Sequence, residues 1–322
     1  MRSLKIILGV SVIIFVFCFA NLSAAKEIVP IYTPGAGGTL YFLGSAMGKV
    51  INKYVPEVQM MVEPTGGTAA SVKLIEEKYE KKQSVFATSD SKTNYMAYTG
   101  KPPFTKEYKS LRAITFLHGT GLNLVVDKKS PIQSYFDLKG KKVALGAPGS
   151  GTAVIGMSLI EAHGITKDMF KPVWLGYKEV VEGIQDGSIN AGFISGVFPI
   201  PAMKELNVKR EIRVIPVDGQ VLKKVLAENP YFYSDVLKPG SYKGIEKDTP
   251  ILVFGSILVT HSGVDANLVY KITKAIFEHR DELIEIHPVA KDIDLRTVEK
   301  TITFPFHPGA EKYFKEVGVP KK

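Results

Sequence analysis

The sequence predicts an α/β fold of two lobes that close on each other like a clamshell. Three observations point to it. Short apolar strands alternate with helical patterns along most of the chain. Small, glycine-rich turns stand where strands give way to helices. Two long extended segments flank a middle α/β block, which implies two crossings between lobes and a hinge.

The first 25 residues differ from the rest. Arg2 and Lys5 form a positive head, an apolar run follows from Ile6 to Ala20, and Ser23 and Ala25 supply small side chains. That is the pattern of a cleavable signal peptide, with the cut expected after Ala25. The run is short for a membrane span, which needs about 20 residues. The single cysteine, Cys18, lies inside this apolar run behind bulky Phe15-Val16-Phe17, which does not suit lipidation. The mature chain therefore has no disulfide or thiolate metal site.

The mature elements follow in order. Glu27–Tyr32 reads as a strand. Pro34-Gly35-Ala36-Gly37-Gly38-Thr39 then opens a helix with Leu40, Leu43, Met47, Val50 and Ile51 at helical spacing. Val58–Glu63 is the second strand, and Thr65-Gly66-Gly67-Thr68 the turn before a helix carrying Val72 and Ile75. Ser84–Thr88 is the third strand, with Ser89-Asp90-Ser91 as its turn. Leu111–Val126 is a long extended stretch holding Gly119-Thr120-Gly121 as a crossing point. Val143–Ala147, the turn Pro148-Gly149-Ser150-Gly151-Thr152, and a nearly all-apolar helix begin the second block. An amphipathic helix over Lys178–Asp186, strands at Ile189–Ser195 and Arg213–Val217, and a loop from Glu228 to Asp248 continue it. Thr249–His261 is the second long strand. Asp265–His287 reads as one helix. Trp174 is expected in the core. The lobes are expected at 26–120 plus 250–322, and at 121–249.

Four turns share one chemistry: GAGGT, TGGT, TSDS and PGSGT. Glycine lets backbone approach a ligand closely. The first turn of a helix has unpaired N–H donors and partial positive charge, so it receives a carboxylate without lysine or arginine. Thr39, Thr68, Ser89, Ser150 and Thr152 add hydroxyls. Helix capping alone accounts for any one of these turns. Four turns divided between two facing lobes point to a shared ligand. Asp90 reads both as a cap and as an acceptor for a ligand amine or hydroxyl. Tyr41 reads both as a cover for a ligand and as packing within its lobe.

Enzyme signatures fail. GSAMGKV at 44–50 is one residue short of a P-loop and lacks the hydroxyl after lysine. No dinucleotide glycine motif fits, Ser150 lacks the flanking glycines of a nucleophile elbow, and the six histidines are dispersed without an HExxH pair. No cofactor and no metal are expected. The formal charge of +9, which loses two with the leader, is scattered rather than striped, so nucleic acid is not an expected partner.

The segments GAGGTLYFLGSAMGKVINKY, VEPTGGTAASVKLI, FATSDSKTNYMAYTG, DLKGKKVALGAPGSGT and FPFHPGAEKYFKEVG span residues 30 to 318. On them the chain resembles the TAXI family of solute receptors for TRAP transporters. The resemblance implies a periplasmic-binding-protein-like clamshell of type II, each lobe a mixed sheet flanked by helices. It implies a monomer that closes on an organic anion, an amino acid such as glutamate or a dicarboxylate or 2-oxo acid. It further implies docking on the integral membrane subunits of a TRAP transporter. The ligand contacts it implies are Gly38, Thr39 and Tyr41, then Gly67 and Thr68, then Ser89 and Asp90, then Ser150, Gly151 and Thr152. Ser195 joins them from the strand end Ser195-Gly196-Val197. The sequence departs from the family at Thr88, where glutamine is common, at Leu40, where a second aromatic is, and at Ser195-Gly196, where a glycine pair is. The sister receptor family clamps its carboxylate with an arginine, and no arginine stands in these turns. Sensing through a membrane kinase shares the same binding chemistry, and an extracytoplasmic enzyme is the third reading.

Overall fold

The structure is a computed structural model that describes residues 26–35, 39–148 and 150–320. The expected leader and Gly38 lie outside these residues. Within them the elements run β1 (Glu27–Thr33), α1 (Thr39–Tyr54), β2 (Val58–Pro64), α2 (Thr68–Glu80), β3 (Phe86–Asp90) and α3 (Ser91–Tyr98). The long β4 (Leu111–Asp127) leads to β5 (Lys142–Ala144), α4 (Gly151–Ala162), β6 (Lys171–Val173), α5 (Tyr177–Asp186), β7 (Ala191–Gly196), α6 (Pro201–Lys209), β8 (Ile212–Ile215), α7 (Gly219–Glu228) and β9 (Phe232–Leu237). The chain returns through β10 (Thr249–His261) and closes with α8 (Ala266–Glu278), α9 (Arg280–Ile286) and α10 (Pro308–Glu316).

The strands form one mixed sheet in the order β2-β1-β3-β10-β4-β7-β5-β6, with β8 also on β4 and β9 also on β10. β4 and β10 lie antiparallel from Leu111↔His261 to Leu122↔Leu252. One end of this ribbon pairs with β3 through Ser256–Val259. Its other end pairs with β7, β8 and β9. The two long strands therefore belong to both halves of the molecule, as the two extended segments predict. Two register shifts interrupt the ribbon, between Ser256 and Ile257 and between Leu258 and Val259. Bulges of this kind bend a strand and re-aim its side chains.

Each half of the sheet carries apolar cores on both faces. In the first, Ile31, Leu43, Met47, Ile272 and Phe314 fill one side, and Tyr32, Val72, Ile75, Ala87 and Ile257 the other. In the second, Leu124, Val143, Ile155 and Phe193 fill one side, and Val180, Ile184, Met203 and Ile251 the other. Burial at alternate residues on opposite faces is the pleat at work.

Several sequence expectations need correction. The third strand runs on through Ser89 and Asp90, because both pair with β10. The tract from Glu228 to Asp248, rich in Tyr, Pro, Gly and Lys, contains β9, whose pairing with β10 that composition does not reveal. The helix expected over Asp265–His287 is two helices that break at His279. Trp174 is 43% exposed, with the Lys167 ammonium 5.1 Å from its ring centroid. It follows β6, which ends the strand order of the sheet, and so lies at the molecule's edge rather than in a core. The apolar helix α4 buries Ala153, Ile155 and Ile160 and leaves Val154 exposed. Among the described residues, no helix is long and apolar enough to cross a membrane.

Candidate functional site

A cavity of about 630 Å³ lies between the halves, above the β4–β10 ribbon. The first turns of α1, α2, α4, α5 and α6 all reach its wall, through Thr39 and Leu40, Gly67 and Thr68, Gly151 and Thr152, Tyr177, and Pro201 and Ala202. Helix N-termini carry unpaired N–H groups and partial positive charge. First turns of five helices bordering one volume make a site suited to an anion, although Pro201 of α6 brings no N–H. Among the described residues, no lysine or arginine borders the cavity, and Asp90 is the only carboxylate that does.

The first half holds its part of the wall through small polar side chains. In the turn before α2, the Gly67 N–H donates to the Thr65 hydroxyl at 3.2 Å. Gly67 itself has φ 136°, which a side chain would strain. The Asp90 carboxylate caps α3, accepting the Thr93 N–H and the Thr93 hydroxyl at 2.7 Å each. Thr93 meets Thr68 at 3.2 Å, so Thr68, Thr93 and Asp90 form one chain. Asp90 thus caps α3, one of its two readings in the sequence, and also borders the cavity.

The second half answers with hydroxyls. Ser150 caps α4 by accepting the Ala153 N–H at 3.2 Å. Thr152, Tyr177 and Ser195 form a triangle of hydroxyls 2.7–2.8 Å apart. All three border the cavity. Ser195 stands at the end of β7, where Leu122 of the ribbon pairs with it.

The halves touch beside the cavity. A side chain at Gly151 would begin 3.9 Å from the Asp90 carboxylate. Lys92 of α3 donates to the Ser158 hydroxyl of α4 at 3.1 Å. Burial lowers the Lys92 pKa, against the pull of Asp90 and Glu161. This lysine stands behind Asp90, in a smaller cleft shared with Thr68, Thr93 and Gly151.

Of the residues singled out in the sequence, Thr39, Gly67, Thr68, Asp90, Ser150, Gly151, Thr152 and Ser195 come together on this wall. Two do not. Ser89 is fully buried in β3 and faces away from Asp90, as strand alternation requires. Tyr41 is half-buried and packs edge-on against Phe42, one residue beyond the first turn's cavity-facing positions. Sequence reasoning missed Tyr177, His118, Thr120 and Ser256. Tyr177 opens α5 one residue ahead of the predicted start. The other three are polar residues set into long apolar strands at the crossing, and that contrast is their only signal. Among the described residues, no group of histidines and carboxylates could hold a metal.

A family model described as the NMT1-like family matches residues 31–318. Among solved structures, the chain is similar to one described as a periplasmic transporter, with a TM-score of 0.52 at 15% identity, covering 92% of this chain and 94% of that one. It is similar to XAC2383 from Xanthomonas citri bound to ATP, with a TM-score of 0.52 at 11% identity over 90% and 95% of the two chains. It is also similar to a TctC solute binding protein from Polaromonas, with a TM-score of 0.50 at 13% identity over 86% and 90%. At these identities the likeness is one of fold, the two-lobed α/β clamshell.

Proposed function

The chain belongs to the NMT1-like family, and from that premise we propose that it is an extracytoplasmic solute-binding protein for a small organic anion. One observation carries the reading. First turns of helices from both halves border one cavity, together with hydroxyls and, among the described residues, without a lysine or arginine. Each such terminus contributes about 0.3–1 kcal/mol to an anion, and up to about 2 when partly buried. Several acting together, with Thr39, Thr68, Ser150 and Thr152 donating, give a carboxylate a full set of partners.

In this reading the lobes are 26–120 plus 250–322 and 121–249, and they rock about the β4–β10 ribbon. The ligand is an amino acid such as glutamate, or a dicarboxylate or 2-oxo acid. The leader of 25 residues is removed on export. The TAXI-like motifs support delivery to the membrane subunits of a TRAP transporter, and the protein acts as a receptor rather than as an enzyme.

Native mass spectrometry of the protein as purified, followed by thermal shift with a panel of amino acids and organic acids, tests the binding claim. A ligand at 100 times its Kd stabilises the fold by about 2.7 kcal/mol. A panel that moves no melting temperature overturns the reading. Uptake of the identified ligand by cells lacking the protein tests delivery, and unchanged uptake refutes it.

A further inference from the structure

His118 lies in the floor of the cavity. It stands opposite Ser256 in the β4–β10 ribbon, and Thr120 stands opposite Phe254; all four border the cavity. The Thr120 and Ser256 hydroxyls are 3.3 Å apart. His118 is only 1% exposed. Its Nδ1 is 3.2 Å from the carbonyl oxygen of Gly119. A carbonyl oxygen only accepts, so Nδ1 carries the proton. Burial drives the pKa of this imidazole down to about 4, so the ring is neutral at neutral pH. Nε2 then offers a lone pair, and it is buried with no hydrogen-bond partner among the described residues.

A buried acceptor left unmet in a residue that borders a cavity calls for a donor. Resting on the solute-binding reading above, we infer that His118 is a specificity-determining residue whose Nε2 accepts a hydrogen bond from a hydroxyl or ammonium group of the bound anion. Asp90 reinforces the demand, since it adds a second acceptor to the same wall. An anion carrying only acceptors leaves His118 unmet and faces the Asp90 charge with no lysine or arginine among the described residues that border the cavity. The site therefore takes amino and hydroxy acids in preference to the oxo and unsubstituted acids of the same skeleton.

Calorimetric titration with two matched series tests this: glutamate, 2-hydroxyglutarate, 2-oxoglutarate and glutarate, and alanine, lactate, pyruvate and propionate. In at least one series the donor-bearing members bind the unaltered protein tighter than their counterparts by on the order of tenfold, the worth of one good hydrogen bond. His118→Phe brings that ratio towards one, by weakening the donor-bearing members, and His118→Gln, which keeps an acceptor, restores part of it. A ratio unchanged in His118→Phe overturns the inference. Should that variant fail to fold, imidazole ¹⁵N spectra of the unaltered protein decide. The Nε2 resonance moves with the tightest donor-bearing probe and not with its donorless counterpart; a stationary resonance overturns the inference. Binding without donor preference sinks the His118 role alone. Failure of every probe to bind sinks the solute reading for these acids and this inference with it.

Discussion

Replacing Gly309 by alanine should destabilise the protein measurably, although alanine is the better helix former. Gly309 lies in the first turn of α10, where that helix crosses the start of α8. A Cβ there would run into the Ala266 carbonyl oxygen, 2.7 Å from the Tyr270 nitrogen and 2.9 Å from the Val269 Cβ. Two of these obstacles are backbone, so no rotamer change relieves them. The helices must part, and Val269, Ala310, Tyr313 and Phe314 lose packing together. Overpacking of this kind costs about 1–3 kcal/mol, and alanine returns about 0.5–1 by its helix preference. A net loss of up to about 2.5 kcal/mol lowers Tm by up to about 10 °C, at about 2–4 °C per kcal/mol, and two backbone clashes put the expected value in the upper half of that range. Gly219→Ala is the matched control: it also lies in the first turn of a helix, α7, and a Cβ there meets nothing within 4 Å. It should be neutral or stabilise by up to about 1 kcal/mol. Ligand-free thermal unfolding by circular dichroism reads both variants. A Gly309→Ala protein that melts with or above its parent refutes the packing argument, since the close approach would then have no energetic consequence.

Acid should weaken the fold through buried histidines. Burial lowers both His118 and His307 to about 4, with His287 facing the former and Arg112, His261 and Asp265 around the latter. Their unfolded pKa is about 6.5, so between the two values only the unfolded chain takes up the proton. The stabilising contribution is complete above about pH 6.5 and is lost as pH falls towards 4, by up to about 3 kcal/mol for each histidine. Urea midpoints at pH 7.5 and 4.5 measure it, and His118→Gln should show a smaller fall; an equal fall counts against burial of a neutral ring. Thr152→Val removes one corner of the hydroxyl triangle with Tyr177 and Ser195. Ligand affinity should drop by about tenfold or more while unfolding changes by about 1 kcal/mol, as isothermal titration and thermal melts would record. Ser150→Ala removes the α4 cap and a cavity hydroxyl at once. Stability should fall by about 1 kcal/mol and affinity with it, and a variant that binds as well as its parent would place Ser150 outside the site. Thr39→Val should weaken binding with little change in Tm.

Much of the fold was legible because it rests on local rules. Thr39, Thr68 and Gly151 begin helices where glycine-rich turns end apolar runs, and each start was readable from its own neighbours. Thr249–His261 is readable from its two apolar runs, Ile251–Phe254 and Ile257–Val259. The break at His279 was not legible, since the apolar stripe continues past it. Nor was β9, because a strand of mixed composition is defined by the partner that pairs with it.

The candidate site divides along the same line. The residues of the turns could be named because a helix N-terminus is a local object, and its donors exist wherever it points. Ser89 and Asp90 are adjacent, yet one faces the core and the other the cavity. His118, Thr120 and Ser256 owe their common face to the pairing of β4 with β10 and to the bulge beside Ser256. By itself the sequence determined which backbone groups were free to bind an anion. The tertiary structure alone decided which of them share one cavity and which polar side chains floor it, because strand register and bulges set side-chain direction, and both are properties of a pair of strands.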